Sequence, residues 1–355
     1  MKMKEYLEFT RGKKSLQGNA GRSGFIKWAK KHHLLGRIAH EQQDMLAQER
    51  SSEFDQILRE IIEDQRVVSS GDVRRTSFEI NRLHRLLLKE EGKIILLKGS
   101  AYIMAGKKAA RGRRVTDVDL LVPKPQLAAL ERFMLQNDWG YDSTTDNPYD
   151  QVYYRTYMHE LPPLRHKTRK SVLDIHHALL PLTHRFSIKI DPMIETAVPI
   201  EGTPFFRFAD VDLFIHAAVH HMLDEEGDNF GRSLVELLDL FDDLDCSLDL
   251  VIARAAEVGA SKAVAYALSA IYAITEDSRL ESSLSFIKKH TSSLVSKAFL
   301  DQLALEPKGI SKLFLYCRSH YLRMPLGMLA AHLFTKAKKD FMIKFKYYKN
   351  AWGRS

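Results

Sequence analysis

Residues 93–122 read KIILLKGSAYIMAGKKAARGRRVTDVDLLV. Lys93-Ile94-Ile95-Leu96-Leu97 is a short, mostly apolar run, closed soon after by Gly99, which is the pattern of a buried strand. Ala101 to Gly106 reads as the start of a helix, and Arg111 to Arg114 as a basic turn. Val118-Asp119-Leu120-Leu121-Val122 reads as a second strand, closed by Pro123. Further out, Lys124 to Asn137 is helical and ends at Trp139-Gly140, while Val152 to Tyr157 and Val172 to His176 read as strands.

The flanks are different in character. Residues 1–35 are basic and glycine-containing, with little periodicity before Phe25, so their first part reads as loosely ordered. From Leu34 to about Glu91 apolar residues recur at helical spacing, as in Leu58, Ile61 and Ile62, and Ser69-Ser70-Gly71-Asp72 reads as a break between two helices. After Asp210 the chain reads as helix after helix, with no repeat of fixed period. Helices, then a strand-rich centre, then helices give an α+β fold. The division expected is residues 1–92 (a basic N-terminus and helical region packing on the core), 93–205 (the core, a small mixed β-sheet flanked by helices) and 206–355 (a helical C-terminal region with a basic aromatic tail).

At 355 residues, 45% apolar and 28% charged, the chain can bury a proper core. Its net charge of +8 favours anionic partners. Cys246 and Cys317 are the two cysteines and make neither a zinc knuckle nor a disulfide framework. No apolar run reaches the ~18–20 residues of a membrane span, and the basic N-terminus lacks the apolar stretch of a secretory signal. The expected setting is the cytoplasm, reaching at most the inner membrane face.

The chemistry concentrates in three pieces. Lys98-Gly99-Ser100 sits where a strand gives way to a helix, where a glycine lets backbone approach a phosphate and free N–H groups face an anion. Asp117 and Asp119 are two apart on a strand and project from one face. Such a pair repels unless a cation lies between, and magnesium, with manganese as an alternative, takes oxygen ligands completed by phosphates and water. Asp174 supplies a third carboxylate for an acceptor's proton or a second metal, and His176 follows it. Arg113 and Arg114 precede the first aspartate, where a guanidinium suits a triphosphate; Arg114 reads as the more solvated of the two.

Hydrophobic-Gly-Ser, then Asp-x-Asp, then hydrophobic-Asp-hydrophobic resembles the signature of the polymerase-β-like nucleotidyltransferase superfamily. More narrowly, residues 96–122, with Lys98-Gly99, Arg113 four residues before Asp-x-Asp and Leu120-Leu121-Val122 after it, look like the bacterial family described as uncharacterised nucleotidyltransferases. LDIHHALL from Leu173, LFIHAAVHH from Leu213, RSLVELLDLFDDL from Arg232 and YCRSHYLRMPLGMLAAHL from Tyr316 resemble its downstream stretches, so the likeness runs from about Leu34 to Lys339. Ser100 departs from the family, many of whose members carry a small apolar residue there, and moves toward the superfamily pattern. The resemblance implies a mixed sheet flanked by helices, magnesium, and a nucleoside triphosphate donor such as ATP. It also implies a context often in exopolysaccharide or peptide natural-product biosynthesis, with the acceptor unspecified. On this reading Asp117 and Asp119 bind the metal, and Asp174 is the acceptor-side base or a second-metal ligand. Gly99 and Ser100 contact the β- and γ-phosphates, Lys98 and Arg113 neutralise charge, and His176 orients Asp174 or the acceptor.

Other features carry less. His216 and His220 have the i, i+4 spacing of zinc ligands, but no glutamate stands in a metalloprotease position, and the segment reads as a helix beside the nucleotide site. RSLVELLDLFDDLD reads as an amphipathic core helix with a solvated acidic face, from which Arg232 can reach the site. The tail TKAKKDFMIKFKYYKNAWGRS interleaves lysines with aromatics and suits an anionic membrane, nucleic acid or a surface helix. The competing reading is a non-catalytic nucleotide-, nucleic-acid- or membrane-binding module retaining the fold; an RNA-modifying toxin of the same superfamily differs only in acceptor.

Overall fold

The structure is a computed structural model that describes residues 2–10, 19–41, 53–88, 92–225, 227 and 229–329. The basic aromatic tail, assigned above to membrane, nucleic acid or surface packing, lies outside them. A seven-stranded mixed sheet forms the centre, in the order β3-β4-β5-β2-β1-β7-β6. The strands are β1 (Ile94–Leu96), β2 (Asp117–Leu121), β3 (Trp139–Tyr141), β4 (Leu164–His166), β5 (Val172–His176), β6 (Val198–Pro199) and β7 (Phe205–Arg207). β2 runs parallel to β5, and β1 parallel to β7; the other pairs are antiparallel. β1 is buried throughout, as its unbroken apolar text requires, and Val118, Leu120, Leu173 and Ile175 join it in the core. The α+β architecture expected from the sequence is therefore present, with more strands than the apolar runs disclosed.

Helices cover this sheet from both flanks of the chain. The N-terminal side provides α1 (Lys2–Thr10), α2 (Asn19–Lys31), α3 (Leu35–Glu41) and α4 (Glu53–Leu87). The core segment adds α5 (Lys98–Met104), α6 (Lys124–Gln136), α7 (Pro148–Tyr157) and α8 (Asp191–Glu195). The C-terminal side opens with α9 (Asp210–Val219), a π turn over His220–Asp224, α10 (Phe230–Asp242), α11 (Leu248–Glu257) and α12 (Ser261–Thr275). It continues with α13 (Leu284–His290), α14 (Ser293–Asp301) and α15 (Gly309–Arg323). One buried apolar cluster runs from Met3 through the sheet to Leu322. Among the described residues no helix is long and apolar enough to cross a membrane.

Three local expectations are corrected. The first residues are helical rather than loose: Met3 and Tyr6 are buried, Tyr6 packs 5.8 Å from Trp28 between ring centres, and the Trp28 indole N–H donates to the Leu303 carbonyl at 2.6 Å. A few large rings supply the anchoring that weak periodicity concealed. The stretch Ser69-Ser70-Gly71-Asp72 does not break a helix; α4 runs through it as a single element. A helical glycine costs only about 1 kcal/mol, and Asp72, buried here, holds Arg75 at 3.2 Å and pairs with Arg114 from the site turn. Val152 to Tyr157 is helix, not strand, inside α7. The Asn147 side chain caps it by accepting from the Asp150 N–H at 3.0 Å, with Pro148 at the first position, a start signal that outweighs the aromatic, β-branched composition.

The turn before β2 is held by backbone contact. A Cβ on Gly36 would lie 2.4 Å from the Gly112 carbonyl oxygen, and Gly112 itself has φ of 61°. Arg37 of α3 donates from Nη1 to the carbonyls of Lys108 and Arg111, so α3 clamps the segment that delivers Arg113. Gly36→Ala should therefore destabilise the fold by about 1–3 kcal/mol, the usual range for overpacking. Urea unfolding checks this; an unchanged midpoint would show that the two backbones do not touch.

Candidate active site

The site is built on one face of β2 and β5. Their parallel register pairs Asp117 with Val172, Asp119 with Asp174 and Leu121 with His176. Because alternate residues share a face, Asp117, Asp119, Asp174 and His176 all lie on the face opposite Val118, Leu120, Leu173 and Ile175. Three of the expected acidic residues are thus brought together by strand pairing alone.

β1 brings the basic side. Leu97 extends the β1–β2 ladder by donating its N–H to the Asp119 carbonyl at 3.0 Å. The chain then turns sharply into α5 through Lys98, whose φ of 47° is unusual for a residue with a side chain. The turn aims the Lys98 ammonium at Asp119, with Nζ 2.7 Å from Oδ1. Lys98 is thus no surface lysine. Gly99 is required by close approach, since a Cβ there would lie 2.9 Å from Val115 Cγ2 and 3.2 Å from Arg113 Nε. Ser100 is fully buried and its hydroxyl has no hydrogen-bond partner among the described residues.

His176 takes the other side of Asp119. Its Nε2 lies 3.0 Å from Asp119 Oδ1 and its Nδ1 3.3 Å from Glu160 Oε2. It touches Asp119, where the sequence pointed to Asp174 or the acceptor. Glu160 arrives because Leu161 donates to the Ile175 carbonyl at 2.9 Å and His177 donates to the His159 carbonyl at 2.8 Å, stitching residues 159–161 along β5. Nothing in the local text HELPP marks Glu160 as a site residue; the strand pairing does.

The electrostatics separate the carboxylates. Burial would raise the Asp119 carboxyl, but Lys98 and His176 overcome it and hold the group far below the usual range. Lys98 is raised in turn: burial acts against its charge, and Asp119 more than compensates. Asp174 is pushed up to about 8 by burial and by the charges of Asp119, Glu160 and Asp117. Asp117 is raised by burial and by Asp119. Neither Asp117 nor Asp174 makes an ion pair among the described residues, and Asp174 Oδ1 is buried without a hydrogen-bond partner. On α7, burial and then the charges of Glu160 and Asp174 push Tyr154 up to about 12, which keeps its hydroxyl a donor at neutral pH.

Helix α10 closes the site from the helical layer. Glu236 is buried, and its carboxylate contacts Arg113 Nη1, accepts from the Tyr102 hydroxyl at 2.9 Å and lies 3.1 Å from His221 Nε2. The acidic face of this helix is solvated only in part: Asp242 is exposed, but Glu236 and Asp239 are both turned inward, Asp239 pairing with Arg37 at 2.6 Å. Arg113 contacts Glu236 through Nη1, its Nε is buried without a hydrogen-bond partner among the described residues, and it remains within electrostatic reach of Asp117. Arg114 is the more exposed of the two arginines, as expected from the sequence, and pairs with Asp72. Arg232 has no ion pair among the described residues and its Nε is buried without a partner. Burial and the neighbouring Arg113 lower it, and Asp117 is among the charges that act on it. The zinc-like spacing of His216 and His220 is not used; the structure instead brings His220 and His221 to Glu225.

The close fit at Gly99 can be tested directly. Gly99→Ala should cost about 1–3 kcal/mol through overpacking. In a double-mutant cycle with Val115→Ala, part of that loss should be recovered, because the valine methyls are what the new Cβ meets. Strictly additive losses would mean that the two residues do not touch.

No functionally curated protein matches the chain. A family model described as "Uncharacterised nucleotidyltransferase" matches residues 19–274, which takes in β1, the turn at Lys98, both carboxylate strands and α10. The match covers well over half of the 355 residues, so the chain belongs to the uncharacterised nucleotidyltransferase family and is an enzyme of the nucleotidyl-transfer class.

Proposed function

We propose that the β2–β5 face is the catalytic centre of a divalent-metal-dependent nucleotidyltransferase that moves a nucleoside monophosphate from a triphosphate to a hydroxyl or phosphate acceptor. The observation that carries this reading is a single one: three carboxylates share one buried face, and two of them, Asp117 and Asp174, lack any cationic partner among the described residues. Such a set fits a hard cation that takes oxygen ligands, and Asp117, Asp119 and Asp174 are the residues that would hold it. When bound, magnesium or manganese offsets charge on the carboxylates and on the triphosphate.

The chain's own residues do the rest. Gly99 and Ser100 present backbone at the start of α5 and a buried hydroxyl that lacks a partner among the described residues, which suits a phosphate oxygen. Arg232, with no ion pair among the described residues, and Arg113, in contact with Glu236 on one side, supply the guanidinium charge for the triphosphate. Lys98 and His176 fix Asp119 in its ionised form and leave its Oδ2 without a hydrogen bond among the described residues. Asp174, kept ionised by a cation bound beside it, takes the proton released by an acceptor hydroxyl. The acceptor oxygen then bonds to the α-phosphorus as the bond to the β-phosphate breaks and pyrophosphate leaves.

Thermal shifts with each of the four nucleoside triphosphates, with and without magnesium, test the site. A triphosphate at about 100 times its dissociation constant should stabilise the fold by ~2.7 kcal/mol, and only when magnesium is present. Asp117→Asn, which breaks no ion pair, should abolish that shift while leaving the ligand-free melting point within about 2 °C, since substitutions that disturb no interaction usually cost under ~0.5 kcal/mol. A shift that persists in Asp117→Asn would place the nucleotide elsewhere. No shift with any triphosphate in folded protein would favour a binding module that kept the fold.

A further inference from the structure

The π turn at His220–Asp224 does something an α-helix does not. Consecutive residues on an α-helix point away from each other, but here the rings of His220 and His221 lie 5.0 Å apart, and both approach Glu225. His220 Nε2 is 3.3 Å from Glu225 Oε1, and His221 Nδ1 is 3.1 Å from Glu225 Oε2. His221 Nδ1 is fully buried and, despite that proximity, lacks the alignment of a hydrogen bond. Its other nitrogen, Nε2, stands 3.1 Å from Glu236 Oε1.

We propose that His220, His221 and Glu225 form a transition-metal site of the zinc class, separate from the carboxylate cluster on the sheet. A neutral imidazole has one N–H. Glu236 takes it at Nε2, which leaves the Nδ1 lone pair facing a carboxylate oxygen, a repulsive arrangement unless a cation lies between them. The spacings match that arrangement. With bonds of about 2.0–2.1 Å, the ligand atoms of a tetrahedral zinc are about 3.3–3.4 Å apart and aim at the point between them, not at one another. Misalignment at 3.1 Å is what two ligands of one ion should show.

The surroundings are built for this. A metal-bound histidine ordinarily gives its second nitrogen to a carboxylate, and Glu236 is that carboxylate, itself held by the Tyr102 hydroxyl and Arg113. The Ser233 hydroxyl donates to Glu225 Oε2 at 3.0 Å and fixes the third ligand. Asp224, 3.8 Å from His220 Nδ1, is engaged by Arg323. Three protein ligands leave a fourth position, and the ligands at the outer side, His220 and Glu225, are partly exposed. The imidazoles favour zinc-like ions over magnesium, so the two metal sites select different ions.

The test uses the full chain, stripped with a chelator and titrated with cobalt(II), then with zinc in competition against a chromophoric chelator. One equivalent of cobalt should develop the intense visible bands of a four-coordinate ion, and zinc should displace it. His220→Ala and Glu225→Gln should each weaken zinc binding at least about 100-fold, whereas Asp117→Asn should leave both spectrum and affinity unchanged. That last variant separates this site from the proposed nucleotide site, since either can fail without the other. Weak six-coordinate cobalt bands, or cobalt bands lost in Asp117→Asn, would overturn the proposal. So would zinc affinity unchanged in both His220→Ala and Glu225→Gln. Should a variant fail to fold, the spectrum of the unaltered chain decides alone.

Discussion

The parallel pairing of β2 with β5 sets Asp119 directly beside Asp174, and most of the site's arrangement follows from managing the repulsion this creates. Two ionised carboxylates side by side in a buried place cost several kcal/mol unless cations offset them. The chain offsets one of them completely. Lys98 and His176 converge on a single oxygen of Asp119, and that carboxylate stays ionised. The cost is left on Asp174 and Asp117, which burial and their neighbours push toward the protonated form. The proposed metal site rests on this asymmetry, which sets the trio apart from a cluster of acids already neutralised by arginines.

Strain and close approach serve the same end. Lys98 adopts a backbone conformation that costs of order 1–2 kcal/mol for an L-residue, and the reward is an ammonium pointed at Asp119 immediately after β1 ends. Gly99 allows the segment carrying Arg113 and Val115 to lie against the same turn. That segment is clamped from behind by α3 through the Gly36–Gly112 contact and Arg37. The N-terminal helices are therefore part of what holds the site, although they contribute none of its acids. Glu236 ties the other side, joining Arg113 and Tyr102 of the sheet region to His221 of the helical layer.

Much of this was legible in the text, and the reason is local. Strand alternation places Asp117 and Asp119 on one face whatever the rest of the chain does, and Gly-Ser after an apolar run marks a tight strand-to-helix passage. Asp174 was legible as a carboxylate within a strand-like segment. Its neighbour His176 was legible as a site residue but not in its role, because whether it reaches Asp119 or Asp174 depends on strand register. The aromatic stretch in α7 has the composition of a strand, and its Asn147-Pro148 start makes it a helix.

By itself the sequence determined the α+β order, the face shared by Asp117 and Asp119, and the basic turn ahead of them. Those features depend on backbone geometry within a few residues. Only the tertiary structure decided the partners: Asp174 beside Asp119, Glu160 behind His176, Glu236 rather than solvent for Arg113, and Asp72 for Arg114. Each of those pairs spans from about fifteen residues to more than a hundred along the chain. Charge pairing across such separations is set by which elements pack together and in what register, and no local pattern of residues encodes it.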